Sequence, residues 1–244
     1  MSARTIVVTG GGTGIGRAVA GAFAADGDTV VVTGRRRERL EQAVAEIGPG
    51  ARAVDFDASD PAAVGTALER LPTTVDVLVN AAGGNTDLDR PAPRDTDLDG
   101  VAAAWRANFD ANVLTAVLVT SALTPRIAEG GRIVTIGSIA ARRGAGGYGA
   151  AKAAVEAWNA SLATDVGPRA ITANVVSPGL TTGTEFFRGR LGDERRRRLV
   201  DETKNRREGT TDDVGAAVAY LASPHAGHVT GQVLHVNGGA YLGH

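Results

Sequence analysis

Six short runs of aliphatic, mostly β-branched residues recur along the chain, at 5–9, 30–33, 75–79, 133–136, 171–176 and 233–236, with a weaker seventh at 52–54. Near-continuous apolar runs of this length read as strands covered on both faces, the pattern of a parallel sheet. Between them lie longer, alanine-rich segments of helical periodicity at 17–25, 38–47, 62–71, 101–127, 148–166 and 212–221. Gly27, Gly48-Pro49-Gly50 and Gly130-Gly131 sign the ends of the first, second and fourth of these helices. Strand alternating with helix gives a doubly wound α/β domain with right-handed crossovers. No composition break or internal repeat divides the chain, so residues 1–244 read as one Rossmann-type domain on a mostly or wholly parallel, seven-stranded sheet.

Three segments interrupt the alternation. Residues 83–100 are polar and proline-bearing, 137–147 are rich in glycine and arginine, and 177–207 are long and heavily charged. Each follows a strand and therefore emerges at the carboxyl edge of the sheet, where open α/β sheets bind ligands.

Composition narrows the function. The 26 basic and 27 acidic residues leave a net charge of −1, which argues against a nucleic-acid partner. Cysteine is absent, which removes disulfide frameworks and thiolate chemistry. No apolar stretch approaches the ~18 residues of a membrane span and no signal-peptide core is evident, so a cytoplasmic protein is expected. His225, His228, His235 and His244 cluster at the C-terminus without a carboxylate group or evident third ligand, so no metal site is expected. Glycine, at 33 residues of 244, points to tight turns and close backbone approach.

The first run enters Thr9-Gly10-Gly11-Gly12-Thr13-Gly14-Ile15-Gly16, and a helix follows. Such a turn lets a diphosphate approach the backbone at a helix N-terminus, and the absence of a G-K-[ST] ending excludes a P-loop. The second strand ends at Thr33-Gly34-Arg35-Arg36-Arg37, with no carboxylate to accept from a ribose hydroxyl. Arg35, with Arg36 next, offers a guanidinium fork suited to a 2′-phosphate, which favours NADP(H) while leaving NAD(H) possible. Tyr148 and Lys152 stand four apart at the start of a helix, on one face. An ammonium beside a phenol lowers the phenol's pKa and lets it exchange a proton with a carbonyl or alcohol oxygen. Ser138, ten residues upstream and just after a strand, offers a second hydroxyl to the same oxygen. No G-x-S-x-G surrounds it, which argues against a hydrolase.

With these motifs in order, the chain resembles the short-chain dehydrogenase/reductase family over essentially its whole length. The glycine turn is similar to the family's T-G-x-x-x-G-[IL]-G. Asn80-Ala81-Ala82-Gly83 is similar to its N-N-A-G, with Ala81 replacing the second Asn, and Pro178-Gly179 and Asn237-Gly238-Gly239 are similar to its P-G and D-G-G. The resemblance implies a catalytic set of Asn112, Ser138, Tyr148 and Lys152. In it Tyr148 donates or accepts the proton, Ser138 polarises the carbonyl, Lys152 lowers the Tyr148 pKa and binds the nicotinamide ribose, and Asn112 positions a proton-relaying water. It implies that the dinucleotide lies against Gly10, Gly12, Thr13, Gly14, Ile15, Gly16, Arg35, Arg36, Asp57 (at the adenine), Asn80, Ala82, Gly83, Tyr148, Lys152, Pro178, Gly179 and Thr182. The hydroxyl that holds the nicotinamide amide falls among Thr181, Thr182 and Thr184.

The implied activity is an NADP(H)-dependent, ketoreductase-like hydride transfer to or from a carbonyl or secondary alcohol of a small organic molecule. An NAD-dependent sugar or steroid dehydrogenase and a non-catalytic dinucleotide-binding protein are the alternatives. The interval from Ser138 to Tyr148 is a few residues shorter than the family's, which trims one wall of the substrate site. The run Arg195-Arg196-Arg197-Arg198 reads as a solvated helix face or as a lid that meets an anionic substrate. Apolar residues beyond one buried stripe on the helices around 102–127 and 150–166 suggest a homo-oligomer, and the resemblance implies two two-fold contacts, through these helices and through 232–242, and so a tetramer, or a dimer with one of them.

Overall fold

A computed structural model describes residues 3–89 and 96–243. Residues 90–95 of the predicted 83–100 segment, and His244, lie outside the described residues. In chain order the principal elements are β1 (Thr5–Thr9), α1 (Gly14–Ala25), β2 (Thr29–Gly34), α2 (Arg37–Ile47), β3 (Ala51–Asp55), α3 (Pro61–Ala67) and β4 (Val75–Asn80). There follow α4 (Leu98–Phe109), α5 (Thr115–Leu123), β5 (Ile127–Ile136), the one-turn α6 (Ala140–Arg143), α7 (Gly146–Val166), β6 (Thr172–Pro178), α8 (Asp193–Glu202), α9 (Thr211–Leu221) and β7 (Val233–Val236).

The seven strands form one sheet in the order β3-β2-β1-β4-β5-β6-β7. Every pairing is parallel. The expected doubly wound, seven-stranded architecture is therefore present in its wholly parallel form. Alternate residues of each strand feed opposite cores. Val7, Val31, Leu78 and Ile133 pack with Val64 of α3, Leu123 of α5 and Leu162 of α7. Ile6, Val8, Val32 and Val79 pack with Phe23 of α1, Leu40 of α2 and Val218 of α9. With both faces covered, the strands have no polar side to present, which is why they read as uninterrupted apolar runs. Strand order reverses between β1 and β4, and the loops after those strands open a crevice at the carboxyl edge.

Two features differ from the sequence reading, and a third takes one of its alternatives, the solvated helix face. The helix expected over 101–127 is broken by a π turn at Asp110–Leu114, where the Thr115 amide reaches back five residues to the Asp110 carbonyl. Beyond it, β5 begins at Ile127, and Gly130-Gly131 sits where the β4–β5 register shifts rather than at a helix end. The charged segment 177–207 contains α8, whose ten residues bury none of their side chains. No helix among the described residues is long and apolar enough to cross a membrane.

Candidate active site

The crevice is a cavity of about 890 Å³ that runs from the glycine turn to the start of α7. The hydroxyl oxygen of buried Thr9 accepts from the Ala81 and Ala82 amides at 3.1 Å each. That fastens the loop after β4 against the turn after β1. Gly10 sits there at φ +65°, and a Cβ on it would stand 2.7 Å from the Ala81 carbonyl oxygen, so only glycine fits. Next in the chain, α1 begins with no side chain capping its first amides. A bare backbone surface ending at free helical N–H groups fits a dinucleotide diphosphate. Gly10, Gly12, Thr13, Gly14, Ile15 and Gly16 all line the cavity.

At one end the wall is ionic. Arg35 reaches within 4.0 Å of Asp57, and Arg36 and Arg39 both pair with Glu185, which comes from the segment after β6. The Asp57 carboxylate accepts from the Ser59 hydroxyl at 2.7 Å and amide at 2.9 Å. Partial burial raises its pKa, but the Ser59 hydrogen bonds and Arg35 outweigh that and hold it below the ordinary value.

The other end gathers Ser138, Tyr148 and Lys152. Ser138 is fixed by its neighbours, because the Gly137 amide donates to the Val176 carbonyl at 2.8 Å and the Ile139 amide to the Pro178 carbonyl at 2.9 Å. Tyr148 is only 5% exposed on the first turn of α7, and Lys152, one turn on, is 6% exposed. Burial pushes the Tyr148 phenol up to about 12 against a hydrogen bond with Ser138 that pulls it down. Burial likewise lowers Lys152 to about 8. Burial, and not a nearby ammonium, sets the direction of the phenol's displacement in this structure. Lys152 spends a hydrogen on the Ile136 carbonyl at 2.8 Å, and its Nζ lies 6.0 Å from the Tyr148 ring centroid. Burial thus displaces the two groups in opposite directions within one cavity, the phenol up and the ammonium down.

Asn112 stands in the π turn, 1% exposed, behind the cavity wall. Its side-chain oxygen accepts from the Gly84 amide at 3.0 Å, and its nitrogen donates to the Gly84 and Asn108 carbonyls at 2.9 Å each. Gly83 packs so close that a Cβ there would lie 2.6 Å from the Asn112 side-chain oxygen. Asn112 therefore braces the loop after β4, with its amide fully engaged.

Ala82, Gly83, Pro178 and Gly179 reach the cavity as expected, but Asn80 and Thr182 do not. The Asn80 amide instead donates to the Thr120 hydroxyl at 2.8 Å, tying β4 to α5. Thr182 turns its amide and hydroxyl to the Gly209 carbonyl. Of the three candidate threonines, Thr181 and Thr184 line the wall.

Several residues escaped the sequence reading. Thr9 clamps two loops, and buried Asn108 holds the Thr86 amide and the Asp87 carboxylate. Arg39, Glu185, Phe186 and Phe187 line the cavity. The Phe186 ring lies 5.6 Å from Tyr148, Phe187 lies 5.0 Å beyond it, and the Arg195 guanidinium stands 5.7 Å over Phe187. An arginine stripe on a helix was visible; aromatic stacking between distant positions leaves no local pattern.

The family model described as enoyl-(acyl carrier protein) reductase matches residues 10–241. The 3-oxoacyl-[acyl-carrier-protein] reductase of Escherichia coli (strain K12) is 35% identical over 245 residues, covering 97% of this chain and 96% of its own. A short-chain dehydrogenase/reductase from Brucella melitensis described as a glucose/ribitol dehydrogenase superposes with a TM-score of 0.84 at 31% identity, covering 98% of this chain and 97% of its own. A short-chain type dehydrogenase/reductase from Mycobacterium ulcerans gives 0.88 at 30% identity, covering 97% and 89%. These matches run along nearly the full length of a chain with the same parallel α/β sheet, and the chain belongs to the short-chain dehydrogenase/reductase family of oxidoreductases.

Proposed function

We propose that this oxidoreductase reduces the carbonyl of a small organic substrate with NADP(H), and that a 3-oxoacyl thioester is the foremost candidate. The observation that carries the reading is one cavity with Ser138, Tyr148 and Lys152 at one end and Arg35 and Arg36 at the other, joined by the glycine turn. The nicotinamide supplies the hydride when bound. Tyr148 holds its proton through the neutral range because burial keeps the phenol protonated, so it is the donor to the carbonyl oxygen. Ser138, fixed by the strand ends beside it, donates to the same oxygen as charge develops there. Lys152 would bind the ribose hydroxyls, and of the three threonines open to the amide-holding role, Thr181 and Thr184, which line the cavity, are the ones that would take it. Asn112 acts through the loop it braces. The 3-oxoacyl assignment draws on the name of the Escherichia coli relative.

Arg35 and Arg36 favour the 2′-phosphate, because a charge-assisted fork is worth roughly 1.5–3 kcal/mol, about one to two decades in affinity. We assign residues 1–244 to one domain in a cytoplasmic homo-oligomer, a tetramer or dimer. In its support, Leu98 (76% exposed) and Trp105 (46%) lie seven residues apart along α4, and Leu114 in the π turn is 39% exposed. The deciding experiment follows NADPH and NADH oxidation over ketones, quinones, sugars and 3-oxoacyl thioesters. NADPH-dependent reduction of the thioester supports the reading. Activity confined to NADH and sugars would replace it with the sugar-dehydrogenase alternative.

A further inference from the structure

Thr181 and the run 184–188 line the cavity. Thr184 lies against the glycine turn, where a Cβ on Gly14 would stand 3.5 Å from the Thr184 Cβ. Phe186 faces the Tyr148 ring, and Arg188 pairs with Asp89 at 2.6 Å. Between them, Glu185 reaches the far wall. Its two carboxylate oxygens lie 3.5 Å from the Arg36 Nη2 and 3.4 Å from the Arg39 Nη2. One carboxylate thus bridges two guanidinium groups beside Arg35, at the end of the cavity proposed for a 2′-phosphate. A phosphate monoester carries about −1.5 to −2 charge at neutral pH and seeks the same forks. Two anions on one pair of arginines repel. Glu185 and its partners are about half exposed, and ion pairs that exposed are weak enough for a dianion to displace.

We propose that Glu185 competes with the 2′-phosphate of NADP(H) for Arg36 and Arg39, restraining the preference for NADP(H) over NAD(H) and coupling phosphate binding to release of the 181–188 segment. The inference rests on the cofactor reading above. Its test needs no turnover. Fluorescence titration of NADPH and NADH is run on the wild type and on Glu185→Gln, which removes the charge and keeps the shape. The ratio of the two dissociation constants is expected to move about threefold to tenfold towards NADPH. An unchanged ratio, or a move towards NADH, overturns the competition. A wild type that binds NADH more tightly overturns the cofactor reading alone, and the Glu185→Gln shift still decides the competition. The second arm uses fragments. In the wild type, 2′,5′-ADP is expected to speed tryptic cleavage after Arg188 and Arg190, whereas 5′-AMP does not. Equal cleavage with both fragments overturns the coupling.

Discussion

Lys152 gives a hydrogen to the Ile136 carbonyl at 2.8 Å, so the last residue of β5 holds the ammonium one helical turn beyond Tyr148. That single bond leaves burial dominant, and the lysine titrates near 8 instead of 10.5. The charged form is the one proposed to bind the nicotinamide ribose, so NADPH affinity is expected to fall as pH rises through about 8. The same displacement acts on folding with the opposite sign. Below about pH 8 the lysine is charged in both states and the burial penalty is complete. From there towards 10.5 only the unfolded chain keeps the proton, so stability rises with pH. Urea midpoints at pH 7 and 9 for the wild type and Lys152→Met check this. The wild type should gain relative to the variant, and parallel midpoints would refute it.

Tyr148→Phe removes the exchangeable proton and keeps the ring that stands 5.6 Å from Phe186. Turnover should fall about 10²–10⁴-fold, the span of a lost general acid, while cofactor affinity and melting temperature hold. Single-turnover NADPH oxidation with the best substrate of the panel measures it. Retention of near-wild-type rates would remove Tyr148 from the donor role.

Asn112→Ala strips the loop after β4 of its brace and leaves the Gly84 amide and carbonyl without their side-chain partner. Gly84 is only partly buried, so a destabilisation of about 1 kcal/mol, the lower end for an unsatisfied group, is expected in a denaturant melt. Cofactor affinity should weaken as well, because Gly83 and Gly84 form the cavity wall. A variant with weakened turnover but unaltered stability and cofactor affinity would mean that Asn112 acts directly on the proton path.

Leu98 and Trp105 on α4 should be covered in solution. Light scattering at micromolar concentration is expected to give a multiple of the 24.9 kDa chain mass. Trp105→Glu should lower that multiple. A stable monomer would leave the exposed apolar stripe without its proposed partner.

The sheet could be read from the chain because parallel strands covered on both faces are mostly aliphatic, as Ile6, Val7 and Val8 are, whereas β3, partly exposed at the sheet edge, gave the weakest run. The glycine turn and the Tyr148–Lys152 spacing could be read for a similar reason: each needs a particular residue at a fixed local offset. The π turn around Asn112 could not, since one extra residue in a helix shifts a hydrogen bond without altering an alanine-rich composition. The choice among Thr181, Thr182 and Thr184 could not be read locally, because the hydrogen bonds that turn Thr182 aside go to the Gly209 carbonyl, 27 residues away. The Glu185–Arg36 pair joins positions 149 residues apart, beyond any local pattern.

Neither apolar core draws a single residue from 178–207, although that stretch supplies Phe186, Phe187, Arg188 and Arg195 to the cavity wall. Away from Pro178, which closes β6, and from buried Thr181 and Thr203, its substitutions therefore fall on recognition and leave the sheet's stability nearly untouched. The stretch behaves as an exchangeable cassette between β6 and α9: transplanting the corresponding stretch of another family member should redirect substrate choice while the recipient sheet folds as before.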